Sequence, residues 1–142
     1  MRSRPPSTAR ADRPREATVQ HAIREALGLE ADLVLWRNAV SGVETWDPST
    51  GRSRVHHAGL PVGSADLVGI LRVVAYAPGA HDTWSYVGRF VALEVKRPGE
   101  KPRAEQVEWL DLVRRFGGFA AVVSSVDEAR AALVRARRGD DR

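Results

Sequence analysis

The chain reads as a small α/β protein, a sheet flanked by helices, on three observations. Helical and strand-like apolar patterns follow one another in the order helix, strand, long antiparallel strand pair, helix, strand, helix. Turn chemistry rich in Gly, Pro, Asp and Ser separates these segments. With 142 residues and 43% hydrophobic content, the chain can bury the core of one domain.

The elements follow in order. Residues 1–14, rich in Arg, Pro, Ser and Ala, read as a disordered basic arm. The domain proper is expected over 15–136, with 137–142 a frayed tail. REATVQHAIREAL places Val19, Ile23, Ala26 and Leu27 at helical spacing, and Gly28 is a stop. ADLVLWRNA predicts a strand around Leu33 to Arg37. The polar stretch from Val40 to Pro61 is either a hairpin, with VETW and RSRVH as its arms and a turn at Asp47–Gly51, or a mobile loop. SADLVGILRVVAYA predicts a strand over 66–76, and WSYVGRFVALEVK returns as a second long strand after the APGAHD turn. AEQVEWLDLVRRFG is helical, with Val107, Trp109, Leu110, Val113 and Phe116 available for burial, and Gly117–Gly118 ends it. FAAVVSS is a short buried strand. Ser124 or Ser125 can cap the last helix, VDEARAALVRARR, whose acids come first and arginines last, as the helix dipole favours.

Composition excludes several classes. No apolar run approaches the ~20 residues of a membrane span, so no membrane association is expected. The Arg-containing N-terminus lacks the apolar core of a secretory signal. Zero cysteines exclude disulfides and Cys-based zinc sites and fit a reducing, cytoplasmic setting. A net charge of +4 favours a polyanionic partner, although an Arg-rich composition alone would also produce it.

The chemistry concentrates in RFVALEVKRPGEKPRAEQ. The 22 basic residues of the chain are arginines except at Lys96 and Lys101, and Lys96 follows an apolar strand two residues after Glu94. Alternation puts Phe90, Ala92, Glu94 and Lys96 on one face. Asp66 opens the antiparallel neighbour, and a long hairpin pairs the start of one arm with the end of the other. Two carboxylates and an ammonium are therefore expected to meet at one end of the sheet. Acids that close repel unless a cation intervenes, and Mg²⁺ is often held by one or two carboxylates plus water and substrate phosphate. A compact ammonium can orient water or neutralise developing charge better than a guanidinium. An ion pair on an edge strand is the plainer explanation of Glu-x-Lys alone.

Taken together, Gly63-Ser64-Ala65-Asp66-Leu67-Val68-Gly69, Phe90-Val91-Ala92-Leu93-Glu94-Val95-Lys96, Gln106 and Gly117-Gly118-Phe119 resemble the VRR-NUC (virus-type replication–repair nuclease) domain of the PD-(D/E)XK nuclease superfamily. The resemblance covers roughly Glu16 to Leu133. It implies a restriction-endonuclease-like αβββαβ core and Mg²⁺- or Mn²⁺-dependent endonucleolytic hydrolysis of DNA. It further implies structure-selective action on branched, flapped or junction DNA in replication, repair or recombination. By the same resemblance Asp66 and Glu94 would ligate the metal with the Val95 carbonyl, Lys96 would be the catalytic lysine, and Gln106 would face the site. Glu16 matches an N-terminal helix Glu that reaches the metal through water; it is equally a helix-start acid. Where the family pattern has Pro-Asp, this chain has Ala65-Asp66, a loss of backbone shape and not of a ligand. Standalone members resemble Holliday-junction resolvases and are often dimers, so a homodimer acting on DNA is expected.

Arg37 and Asn38, at the end of the first strand, are candidate DNA contacts with Ser64, Arg97 and Arg103. Arg37 could also be an ordinary surface residue, and Ser64 could simply complete a turn. His56 and His57 are adjacent and His21 and His81 isolated, a poor pattern for a shared metal. No phosphate-binding Gly loop or nucleophile elbow is present. The competing classes are a non-catalytic DNA-binding or assembly module on the same scaffold, and a regulatory domain for an acidic protein.

Overall fold

The structure, a computed structural model, describes residues 15–78 and 83–140. The proposed arm at 1–14 and His81 lie outside the described residues. The elements are α1 (Glu16–Leu27), β1 (Leu33–Arg37), β2 (Ser41–Asp47), β3 (Arg52–Ala58), β4 (Leu67–Ala77), β5 (Thr83–Val95), α2 (Ala104–Arg115), β6 (Phe119–Val123) and α3 (Val126–Arg138). This is a mixed α/β fold with helices on both faces of a four-stranded sheet, ordered β1-β4-β5-β6.

β1–β4 and β4–β5 are antiparallel, whereas β5 and β6 are parallel. Parallel neighbours need a crossover, and α2 supplies it. Alternation along β5 divides the core in two. Val91, Leu93 and Val95 face α1 and α3, meeting Val19, Ile23 and Leu27 of one helix and Ala129, Ala132 and Leu133 of the other. Ala92 and Ala120 face α2, where small side chains let Leu110 and Val113 close onto the sheet. Burial of each large aliphatic side chain is worth roughly 1.5–3 kcal/mol, so the α1/α3 layer is the heavier stabiliser.

Polar side chains fasten the layers. Arg137 donates to both oxygens of Asp32 at 2.7 Å and to Glu30 at 3.0 Å, tying α3 to the turn before β1. That contact anchors the end of α3, which runs through Arg138 as VDEARAALVRARR predicts, before Gly139 caps it at φ +73°. Ser125 caps the start of α3 by accepting the Glu128 N–H at 3.1 Å, while Ser124 donates to the Glu128 carboxylate.

Two features extend beyond the sheet. Of the two expectations for 40–61, the hairpin is the one found: β2 and β3 pair antiparallel, and the turn is set by Asp47, which accepts from the Ser49 and Gly51 N–H groups. Beyond Arg72 and before Phe90, β4 and β5 pair only with each other. The resulting ribbon exposes Val74, Tyr76, Trp84 and Tyr86, all on one face. No described helix is long and apolar enough to cross a membrane.

Gly69 holds β1 in place. A Cβ there would lie 2.2 Å from the Val34 carbonyl oxygen, which belongs to backbone and cannot swing away. Gly69→Ala should therefore cost about 1–3 kcal/mol in urea unfolding, the usual cost of overpacking. An unchanged midpoint would contradict the β1–β4 register.

Candidate active site

The β4–β5 register pairs Leu67 with Leu93, so the next pair outward is Asp66 opposite Glu94. The juxtaposition expected from hairpin geometry is present. Asp66 immediately precedes β4 and is half-buried, and its Oδ2 accepts the Val95 N–H at 2.9 Å. Glu94 is 0% exposed and Lys96 is 7% exposed. Lys96 Nζ donates to Glu94 Oε1 at 2.6 Å and stands 3.8 Å from Glu16 Oε1.

Gln106 completes the cluster from the first turn of α2. Its Oε1 accepts the Arg103 N–H at 2.8 Å, and its Nε2 donates to Glu94 Oε1. Both ends of the amide are matched, which fixes its orientation. The loop before Asp66 also approaches the first turn of α2 closely. Gly63 permits it: φ is +92°, and a Cβ would sit 2.8 Å from the Glu105 carbonyl oxygen.

The two oxygens of Glu94 are treated differently. Oε1 receives Lys96 and Gln106, whereas Oε2 is the buried side-chain polar atom left without a partner among the described residues. A buried unsatisfied carboxylate oxygen costs free energy, so it calls for an explanation. Burial raises the Glu94 carboxyl above its ordinary value; Lys96 pulls it back, while Asp66 and Glu16 push it up. For Lys96, burial works against the charge, but the bond to Glu94 and the fields of Glu94, Glu16 and Asp66 outweigh it, and the net shift is upward from 10.5. Lys96 is therefore an ammonium at neutral pH, able to donate but not to accept a proton.

An orphaned oxygen beside a second carboxylate is a donor set for a hard cation, which takes oxygen ligands and keeps several waters. Among the described residues, no three His, Asp or Glu side chains converge as a complete cage. The ligands available here are Glu94 and Asp66, with Glu16 beyond Lys96.

The remaining candidates are spread around this point. Arg37 is exposed at the end of β1, and no ion pair to it is present among the described residues. Arg97 pairs with Glu100 at 3.0 Å and Arg103 with Glu105 at 3.5 Å, both on the surface. Ser64 and Asn38 are directed at each other: the Asn38 amide donates to Ser64 Oγ at 2.7 Å and to the Ala65 carbonyl at 2.9 Å. Ser64 is nearly fully buried, and its Oγ accepts the Asn38 bond. His21 pairs with Glu25 on the surface of α1, far from any second imidazole in sequence, and His56 lies exposed on β3. Sequence reasoning missed Gln20, whose amide reaches the Asp66 carbonyl at 3.5 Å. Its signal was spacing, since Gln20 follows Glu16 by one helical turn.

The raised Glu94 carboxyl has a thermodynamic consequence. The folded state binds that proton more tightly than the unfolded chain, so its contribution favours folding below pH 4.5 and declines as pH rises through the folded value. Gln cannot titrate. Wild-type stability relative to Glu94→Gln, measured by urea unfolding, should therefore fall as pH rises above 4.5. A rise would mean that Lys96 outweighs burial. Comparison of the chain with protein-family models, curated proteins and solved structures finds no match.

Proposed function

We propose that the chain is a Mg²⁺- or Mn²⁺-dependent nuclease that hydrolyses DNA phosphodiesters, with Glu94, Asp66, Lys96 and Gln106 as its site. The observation that carries this is the free Oε2 of Glu94, buried beside Asp66 while Lys96 and Gln106 hold the other oxygen. The order α1, β1, β4, β5, α2, β6, with β2–β3 as an insertion, supports a restriction-endonuclease-like αβββαβ core.

Glu94 and Asp66 would hold the ion, with the Val95 carbonyl and a water-mediated contact from Glu16. The ion would polarise a phosphoryl oxygen and lower the pKa of a bound water. Gln106 keeps the Glu94 carboxylate from rotating, and its anchor on the Arg103 N–H keeps the amide from turning over. Lys96 has three donors, of which one is engaged with Glu94. The others can meet a phosphate oxygen whose negative charge grows during attack. Hydrolysis forms a bond from water oxygen to phosphorus and breaks the bond from phosphorus to the 3′ oxygen. One water proton ends on that leaving oxygen, giving 5′-phosphate and 3′-hydroxyl ends. Among the described residues no element suited to reading base edges flanks the site, which favours selection by DNA shape, such as branches, flaps or junctions. A homodimer would present two such sites to a junction.

The test uses nicked, flapped, four-way and linear DNA with Mg²⁺, Mn²⁺ or EDTA. Cutting should require the metal and fall at least about 100-fold in Glu94→Gln and Lys96→Gln, the scale expected for loss of a charge-stabilising group. Binding without metal-dependent cutting would favour a non-catalytic DNA-binding module. Cutting unchanged by either substitution would move the site elsewhere.

A second expectation concerns the arginines. Arg37 is unencumbered by the acids that engage Arg97 and Arg103. Arg37→Ala should lower the log–log salt slope of duplex binding by about 0.9, one phosphate contact, and Arg97→Ala and Arg103→Ala by less. Equal slopes for wild type and Arg37→Ala would remove Arg37 from the interface.

A further inference from the structure

Asp66 is the only one of the proposed metal ligands that precedes its strand, so regular pairing does not fix it on its N-terminal side. Something else must. The segment Ser64–Asp66 is held from one direction by the residue that leaves β1. The Asn38 backbone N–H donates to the Asp66 carbonyl at 2.8 Å. The Asn38 side-chain amide donates to Ser64 Oγ at 2.7 Å and to the Ala65 carbonyl at 2.9 Å. One residue thus contacts three consecutive residues, the last of them Asp66. Ala65 is fully buried and Ser64 nearly so, which leaves this stretch little room to move once it is fastened.

The chemistry of the position is specific. An amide nitrogen offers two donors, and both have separate acceptors here. Asp at this position offers no donor and would repel the Ala65 carbonyl. Ser offers one donor and is too short to reach both acceptors. Ala offers none and leaves a buried carbonyl and hydroxyl unmatched. From the other side, the Val95 N–H holds Asp66 Oδ2 at 2.9 Å. The carboxylate is therefore aimed from β5, and the backbone that carries it is set from β1.

We propose that Asn38 is a positioning residue for Asp66, and that it sets the affinity of the Asp66–Glu94 pair for a divalent cation without touching the ion. The inference rests on the reading of that pair as a metal site. Supporting groups of this kind are typically worth 10–100-fold in metal affinity. The effect reaches the ion through one ligand, so saturating metal should compensate for it.

The test is direct binding of Mn²⁺ to the full chain, by calorimetry, in wild type, Asn38→Ala, Asn38→Asp and Ser64→Ala, with thermal unfolding of each in EDTA. Asn38→Ala and Asn38→Asp should weaken Mn²⁺ binding at least about 10-fold, and Ser64→Ala by a smaller factor. In the cutting assay the same variants should need correspondingly more metal for half-maximal rate while recovering most of kcat at saturation. A residue that served only folding would lower the unfolding temperature in EDTA and leave Mn²⁺ affinity where it was, which would overturn the proposal. Should Asn38→Ala not fold, Ser64→Ala decides: unchanged affinity there also overturns it. Wild-type protein that binds no Mn²⁺ overturns the metal-site reading itself, and the proposal with it. Wild type that binds while the variants bind equally well overturns the role of Asn38 alone.

Discussion

The structure turns on one carboxylate, that of Glu94, carried fully out of water at the end of β5 with only one of its oxygens satisfied. Ionised carboxylates are not buried without compensation. Lys96 supplies a charge and Gln106 a hydrogen bond, yet both go to Oε1. The rest of the site follows from this asymmetry. Desolvation and the neighbouring acids press Glu94 towards its protonated form, while the lysine opposes them. A positive ion at Oε2 would relieve all of these strains together.

Around that group the fold behaves as a rigid frame. The α1/α3 layer is apolar and tightly filled, and it fixes the odd-numbered side of β5. The α2 side has small alanines, so α2 approaches the sheet and its first turn comes within reach of Glu94. Gly63 lets the loop before β4 slip beneath the same turn. The alanines and Gly63 both lower packing volume near the site, and the close approach they allow brings Gln106 to Glu94. Proteins commonly sacrifice some stability to preorganise such groups.

Much of this was legible in the sequence, for identifiable reasons. The three helices and the strands of the main sheet were legible as apolar segments bounded by turn chemistry, whereas the polar 40–61 stretch left hairpin and loop equally open. The pairing of Asp66 with Glu94 could be anticipated because a hairpin has only one free variable, its register, and the long apolar arms of β4 and β5 constrain it. The roles of Asn38 and Ser64 could not. Both are short polar residues that suit a phosphate as well as a loop, and their mutual hydrogen bond exists only once 63–66 closes onto the end of β1. Gln20 shares a helix face with Glu16, but its target is a backbone carbonyl, which no residue type in the sequence marks. The end of α3 was legible too, in the arginines of VDEARAALVRARR, but the acids that hold Arg137 lie about a hundred residues away along the chain and were not.

The most direct measurement is a crystal structure of the protein soaked in Mn²⁺, with the ion located by its anomalous scattering. An anomalous peak is expected beside Glu94 Oε2 and the Asp66 carboxylate, the oxygen donors that would hold a small hard cation. Lys96 and Gln106 would keep their hold on Oε1. Absence of density there at saturating Mn²⁺, with Glu94 Oε1 still held by Lys96 and Gln106 and Oε2 still without a partner, would contradict this reading.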